Sequence, residues 1–409
     1  MKREILPIVI TGHIDHGKST LIGRLLYETH SLPKEKLQEI GIISKQLGED
    51  AGFAFFSDQL KEERDRMMTI DTTQMFFNTR KRSYCIIDTP GHPEFLRNMI
   101  TGTSYAEAAV LVVDVNEGIM DETRRHLYVI QLLGIKQMIV ALNKMDLVGY
   151  GQETFNRLKE EFSNLLRQFS INTVIVLPIS AKENDNISAK SIRARWFRGL
   201  SMVEALDSLK IGAPDINKPL TLPVQDVYKI DGREIIVGMI SSGRLKPGQK
   251  IIILPECKDA TIKRIIGFDK KTKSVAEAGE NVGLSLKEPL AVKRGDIIVD
   301  KESPLAPATN FKGNILWLSP QPLRINTTLT LVCATQSAPC VVEKIEKRLN
   351  TATLEIIEKS ANELKTNEAA QLSFRTKKPI LLTKFTFIEE LGRFLLERDE
   401  NVQAAGIVT

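Results

Sequence analysis

TGHIDHGKST, Thr11 to Thr20, lies directly after the apolar run Ile8-Val9-Ile10 and leads into Lys18 to Tyr27, a segment with helical apolar spacing. Within it Gly12, Gly17, Lys18 and Ser19 match the pattern G-x-x-x-x-G-K-[S/T], which has mechanical meaning only between a strand and a helix. It has that setting here. Backbone N–H groups at a helix N-terminus point toward an anion, and glycines let the chain come close to phosphate oxygens. Lys18 supplies positive charge, and the Ser19 hydroxyl is a ligand for Mg2+. The whole loop, Gly12, His13, Ile14, Asp15, His16, Gly17, Lys18, Ser19 and Thr20, is therefore expected to wrap a chain of phosphates.

Further along, short apolar runs end in polar or glycine residues: Tyr84 to Asp88, Ala108 to Asp114, Gln137 to Asn143 and Thr173 to Ser180. Near-continuous apolar runs are expected for strands covered on both faces. Helix-like segments alternate with them at Lys18 to Tyr27, Pro93 to Thr103, Asp121 to Leu133 and Glu153 to Phe169. The alternation implies a mostly parallel sheet with helices on both sides.

Three of these strand ends carry polar motifs. In Asp88-Thr89-Pro90-Gly91-His92 the carboxylate is placed to hold Mg2+, directly or through water, and Gly91 lets the backbone swing against a γ-phosphate. His92 is the candidate for orienting the attacking water, a role that glutamine fills in Ras-like proteins. In Asn143-Lys144-Met145-Asp146 the Asp146 carboxylate can accept from the N1–H and 2-amino groups of guanine. Adenine cannot reproduce that arrangement and would leave buried polar groups unpaired. Ser180-Ala181-Lys182 is placed to meet the base oxygen through backbone N–H. In this order the motifs point to a guanine nucleotide, GTP with Mg2+. The charged segment from Pro33 to Arg66, beside the phosphate loop, has the character of a switch.

After Ile211 to Pro219 the texture changes to short strands separated by glycine and proline turns, and long helical periods disappear. That reads as an all-β barrel or sandwich of about 90 residues, and a second β-rich block starts near Ala308. A chain of 409 residues is long enough for two or three cores, and its 42% apolar and 26% charged residues are ordinary for a folded protein. The 56 basic and 51 acidic residues leave a net charge of +5, too slight an excess to argue for nucleic acid by itself. The best basic runs are Ile262 to Lys273, expected to be a solvated charged loop, and Arg193 to Gly199, expected to be structural. Cys85, Cys257, Cys333 and Cys340 form no CxxC pair and read as small core residues in a reducing compartment. The N-terminus leaves no room for a signal peptide, and no apolar run approaches the roughly 20 residues needed to span a bilayer. The cytoplasm is the expected location, with no membrane and no DNA partner.

The stretches GHIDHGKST (12–20), ERDRMMTID (63–71), DTPGHPEFLRNMITGTS (88–104), NKMD and SAK, followed by two β domains, resemble the translation-factor GTPase superfamily over essentially the whole chain. The resemblance implies a doubly wound α/β P-loop GTPase domain over 1–212, followed by all-β barrel domains over 213–305 and 306–409. It also implies that Thr69 joins Ser19 and Asp88 on the metal. Two branches compete. NMITGTS (98–104) and PLTLPVQDVYKIDG (219–232) look like elongation factor Tu and its archaeal and eukaryotic counterparts, which carry aminoacyl-tRNA. DETRRH (121–126), ILWLSPQPL (315–323) and LERDENVQAAGIV (396–408) look like the GTPase subunit of heterodimeric ATP sulfurylase (sulfate adenylyltransferase). With ATIKRIIGFD (260–269) its matches reach both β domains, so that reading is favoured, and it implies a separate adenylyl-transferring catalytic subunit as partner. Two departures stand out. Met67-Met68 precedes Thr69 where the family has Gly-Ile, exchanging backbone freedom for an apolar plug. His16 replaces the aspartate of the sulfurylase branch.

Overall fold

The computed structural model describes residues 5–32, 74–88, 106–167, 169, 171, 173–212, 215–230, 233–267, 271–351 and 355–409. The chain divides into two compact units, one of residues 1–211 with 351–353 and one of residues 212–350 with 354–409.

The first unit is built on a six-stranded sheet. In chain order its elements are β1 (Ile5–Thr11), α1 (Lys18–Glu28), β2 (Gln74–Asn78), β3 (Ser83–Asp88), β4 (Ala108–Asp114), α2 (Asp121–Leu132), β5 (Gln137–Asn143), α3 (Gln152–Leu166), β6 (Thr173–Pro178) and α4 (Met202–Ser208). The strand order is β2-β3-β1-β4-β5-β6. Five strands run parallel, as the apolar runs predict, whereas β2 pairs antiparallel with β3 at the edge. Its alternating pattern, with Met75 and Phe77 buried and Phe76 exposed, is that of a strand covered on one face. The expected helix Pro93 to Thr103 and the switch segment Pro33 to Arg66 lie outside the described residues.

Local chemistry sets the helix limits. Leu21, Ile22, Leu25 and Leu26 put one face of α1 into the core with Leu6, Ile8 and Ile10 of β1. The α2 helix stops at Gly134, whose φ of 72° allows Gly134 N–H to reach Gln131 O and Ile135 N–H to reach Ile130 O. Ser201 and Glu204 close a reciprocal capping box at the start of α4.

The second unit holds two closed antiparallel barrels. The first uses β7 (Thr221–Ile230), β8 (Arg233–Met239), β9 (Arg244–Leu245), β10 (Lys250–Leu254), β11 (Lys258–Gly267), β12 (Thr272–Lys273), β13 (Ala276–Glu277), β14 (Asn281–Leu286) and β15 (Ile297–Asp300). Six of these strands close the ring β7-β8-β14-β11-β10-β15. The second uses β16 (Ala308–Trp317), β17 (Leu323–Arg324), β18 (Thr328–Cys333), β19 (Gln336–Leu349), β20 (Ile356–Ala361), β21 (Glu363–Leu364), β22 (Ala369–Ile380), α5 (Glu389–Gly392), β23 (Arg393–Arg398) and β24 (Asn401–Val408). Its ring is β18-β23-β24-β16-β22-β19. Leu254, Ile297 and Val299 of the first barrel pack with Leu381, Ile388 and Leu391 of the second, beside a hydrogen bond from Ser241 to Glu390.

Two expectations need correction. The basic run Ile262 to Lys273 is mostly strand: Ile262 and Ile265 alternate into the barrel core while Lys263 and Arg264 face out. Cys257 is exposed on a turn, at a φ of 54°, whereas Cys85, Cys333 and Cys340 are buried; none of the four forms a disulfide. Among the described residues no helix is long and apolar enough to cross a membrane.

Candidate functional site

The parallel registers bring the motifs to one edge of the sheet. Ile10 of β1 stands beside Asp88 of β3, Thr11 beside Leu111 of β4, and Asp114 beside Asn143 of β5. Since β1 lies between β3 and β4, the chain leaves it at a point where strand order reverses, the usual place for a ligand in an open α/β sheet.

The loop from Gly12 to Gly17 turns there. Gly12 has a φ of 148°, and a Cβ on it would stand 2.2 Å from Val112 O; Gly17 has a φ of 89°, and a Cβ on it would stand 2.4 Å from Asn143 Nδ2. At both positions only hydrogen fits. Ile14 and Asp15 are exposed at the tip, and Asp15 too has a positive φ, 64°. The Lys18 ammonium donates to Gly12 O at 2.8 Å and to His13 O at 2.7 Å, which folds the cation over the loop. Lys18, Ser19 and Thr20 form the first turn of α1, where N–H groups have no acceptor within the helix, and that turn holds no acidic residue. That combination favours an anion. Ser19, in the first turn of α1, carries a hydroxyl and Asp88, the last residue of β3, a carboxylate; both are hard oxygen donors of the kind Mg2+ takes, so the donor chemistry fits the ion. Among the described residues no cluster of three His, Cys, Asp or Glu side chains is arranged to hold a metal.

Beneath the loop lies a layer that is not apparent from the motif. His16 is buried, with Nδ1 3.2 Å from Val112 O, Nε2 3.0 Å from Glu117 Oε2, and its ring edge-on to that of His13. The Thr11 hydroxyl and His126 Nδ1 are 2.9 Å apart, both buried. Burial first, then the Lys18 ammonium, pushes the His126 imidazole down to about 3, so it stays neutral.

The base-side motifs form one connected structure. Buried Asn143 donates from Nδ2 to His16 O at 2.9 Å and accepts from Ala181 N–H at 2.9 Å, tying the phosphate loop to the Ser180 loop. Lys144, at a φ of 65°, turns the chain after β5 and pairs with Asp114 at 2.7 Å. Burial alone would raise the Asp114 carboxyl, but the hydrogen bond from Lys144 and the Asn116 N–H outweigh it and hold the carboxyl low. Met145 is buried under the turn. Asp146 accepts from the Ser180 hydroxyl at 2.6 Å, which orients its carboxylate. Lys182 is exposed.

The structure brings Gly12 to Thr20, Asn143 to Asp146 and Ser180 to Lys182 together, with the backbone of Asp88 alongside. Thr69, Thr89, Pro90, Gly91 and His92 lie outside the described residues. Sequence reasoning missed Arg24, which reaches from α1 to Ala181 O at 3.1 Å and to Lys182 O and so braces the Ser180 loop. It also gave no role to Glu117, His126 or Tyr150, and took Arg193 only as part of a structural basic run. In Arg193 to Gly199 the aromatic residues are structural as expected: Trp196 donates to Tyr150 O at 2.8 Å, and Trp196 and Phe197 pack on Phe155.

Comparisons with known proteins agree with this architecture. Residues 3–215 match the family described as elongation factor Tu GTP binding domain, residues 233–299 that described as elongation factor Tu domain 2, and residues 310–409 that described as GTP-eEF1A C-terminal domain-like. Elongation factor 1-alpha of Methanothermobacter thermautotrophicus is 37% identical, over 99% of this chain and 97% of that protein. The Pyrococcus furiosus protein of the same name is 37% identical over 98% and 96%, and that of Thermoplasma acidophilum 35% over 98% and 96%. The chain thus belongs to the elongation factor Tu and 1-alpha family of translation-factor GTPases, whose members bind GTP with Mg2+.

Proposed function

We propose that this chain is an elongation-factor-like GTPase that carries aminoacyl-tRNA to the ribosome, with domains at 1–212, 213–305 and 306–409. The observation that carries the proposal is the end-to-end match, at 35–37% identity, to proteins named elongation factor 1-alpha. The sulfate adenylyltransferase reading finds no support in these relatives. Of the stretches it rested on, ILWLSPQPL and LERDENVQAAGIV lie in the second barrel, where Trp317, Leu396 and Ala404 are fully buried.

In this reading Lys18 and the α1 N-terminus bind the phosphates, and Asp146, oriented by Ser180, reads the base. Ser19, Asp88 and Thr69 hold the metal, with His92 orienting the attacking water. Mg2+, when bound to the phosphate oxygens, neutralises charge developing at the γ-phosphoryl group. Hydrolysis changes the contacts available to the segments around Thr69 and Gly91, and a client that binds one state better senses that difference. His92→Ala should leave GTP affinity nearly intact and slow single-turnover hydrolysis at least about tenfold. An unchanged rate removes His92 from the mechanism.

The partner is tested by capture from native extract with the protein held by a non-hydrolysable GTP analogue. Recovery of aminoacylated tRNA supports the carrier reading. Recovery instead of a subunit that binds ATP and sulfate returns the sulfate-activation reading.

A further inference from the structure

Past the base-reading turn, the chain places three polar side chains with no part in the motifs on a single point. The Tyr150 hydroxyl donates to Asp185 Oδ2 at 2.5 Å, and Arg193 Nη1 donates to Tyr150 Oη at 3.1 Å, to Asp185 Oδ2 at 3.3 Å and to Glu183 Oε2 at 2.7 Å. The guanidinium also lies 5.8 Å from the centre of the Tyr150 ring. Two of the three are fixed to elements of the base site. Tyr150 N–H donates to Met145 O at 2.9 Å, closing the turn that bears Asp146. Asp185 exchanges two backbone hydrogen bonds with Ser180, each 3.1 Å. Tyr150 has a φ of 56°, a left-handed conformation that a bulky residue adopts only when its surroundings hold it there. The Trp196 indole, donating to Tyr150 O, is one such hold.

We propose that Tyr150, Asp185 and Arg193 are positioning residues for guanine selectivity: they lock the turn bearing Asp146 to the loop bearing Ser180. The inference rests on the assignment of this site to a guanine nucleotide. The carboxylate of Asp146 meets the 2-amino group only in a narrow range of positions. Its orientation depends on the 2.6 Å bond from Ser180, whose backbone is held by Asp185. Without the network the two segments are still joined through Asn143, so phosphate binding persists while the carboxylate loses its register. Burial, then the hydrogen bond to Asp185, pushes the Tyr150 phenol up to about 12, so it remains a donor throughout the neutral range.

The test compares GDP with IDP, which lacks only the 2-amino group. Equilibrium binding and thermal unfolding are measured for wild type, Tyr150→Phe and Arg193→Gln; Tyr150→Phe removes a single hydroxyl, and the Arg193 side chain is half exposed. The expected result is a fall of about tenfold in the Kd ratio IDP/GDP, carried by weaker GDP binding with IDP affinity and melting temperature little changed. A ratio equal to that of a discriminating wild type in both variants overturns the proposal. So does parallel weakening of both nucleotides with a lowered melting temperature, which marks a merely structural role. A wild type that does not discriminate overturns the guanine assignment itself.

Discussion

Asn143 joins the two loops of the proposed nucleotide site. Its amide is buried and spends both ends on backbone groups of separate loops, a carbonyl of the phosphate loop and an N–H of the Ser180 loop. Truncation leaves a donor and an acceptor unpaired, each at a cost of about 1–3 kcal/mol. We predict that Asn143→Ala lowers GDP affinity at least about tenfold, measured by calorimetric titration, together with the melting temperature; unchanged affinity would show that the loops hold each other by other means. His126 provides a pH prediction. Its folded pKa, about 3, lies below the unfolded value of 6.5, so the stability it contributes is complete above pH 6.5 and is lost as the pH falls toward 3. The unfolded chain then takes up a proton that the folded chain refuses. His126→Gln should flatten the dependence of the urea midpoint on pH below 6.5, and an identical slope would sink this account.

At the scale of elements, legibility followed the range of the interaction. The limits of β4 and β5 are those of the apolar runs Ala108 to Asp114 and Gln137 to Asn143, because strands covered on both faces write themselves as unbroken apolar sequence. The motif loops were equally legible, since each needs its residues within a few positions. Arg24 was not: its acceptor lies 157 residues away, and no local pattern distinguishes it from a surface helix arginine. A strand beginning near Ile70 was legible, but the antiparallel direction of β2 was not, because it is set by pairing with β3 rather than by its own residues. In the second barrel, Gly313 and Gly406 on neighbouring strands leave room for the Phe394 ring, which would stand 2.8 Å and 2.6 Å from a Cβ on either. That ring meets Phe311 and Phe374 edge-on at 5.5 and 5.7 Å. Glycine inside a strand marks such close approach. Phe394→Ala should destabilise the second unit by about 3–5 kcal/mol, read from its unfolding transition. A loss below about 1 kcal/mol would mean the barrel refills the space.

For the whole molecule, the account combines a guanine nucleotide site in the first unit with two closed barrels in the second, in a chain aligned end to end with elongation factor 1-alpha. In the proposed carrier the nucleotide state governs the hold on charged tRNA. A ligand shifts such an equilibrium only by its differential affinity for the two states, so the GTP and GDP forms must differ in tRNA affinity. The most direct measurement is the spontaneous hydrolysis rate of the aminoacyl ester on charged tRNA, followed with increasing protein loaded with a non-hydrolysable GTP analogue or with GDP. The account predicts protection of the ester by the analogue-loaded protein at concentrations at least about tenfold lower than by the GDP form. Equal protection by both forms, or none by either, would contradict it.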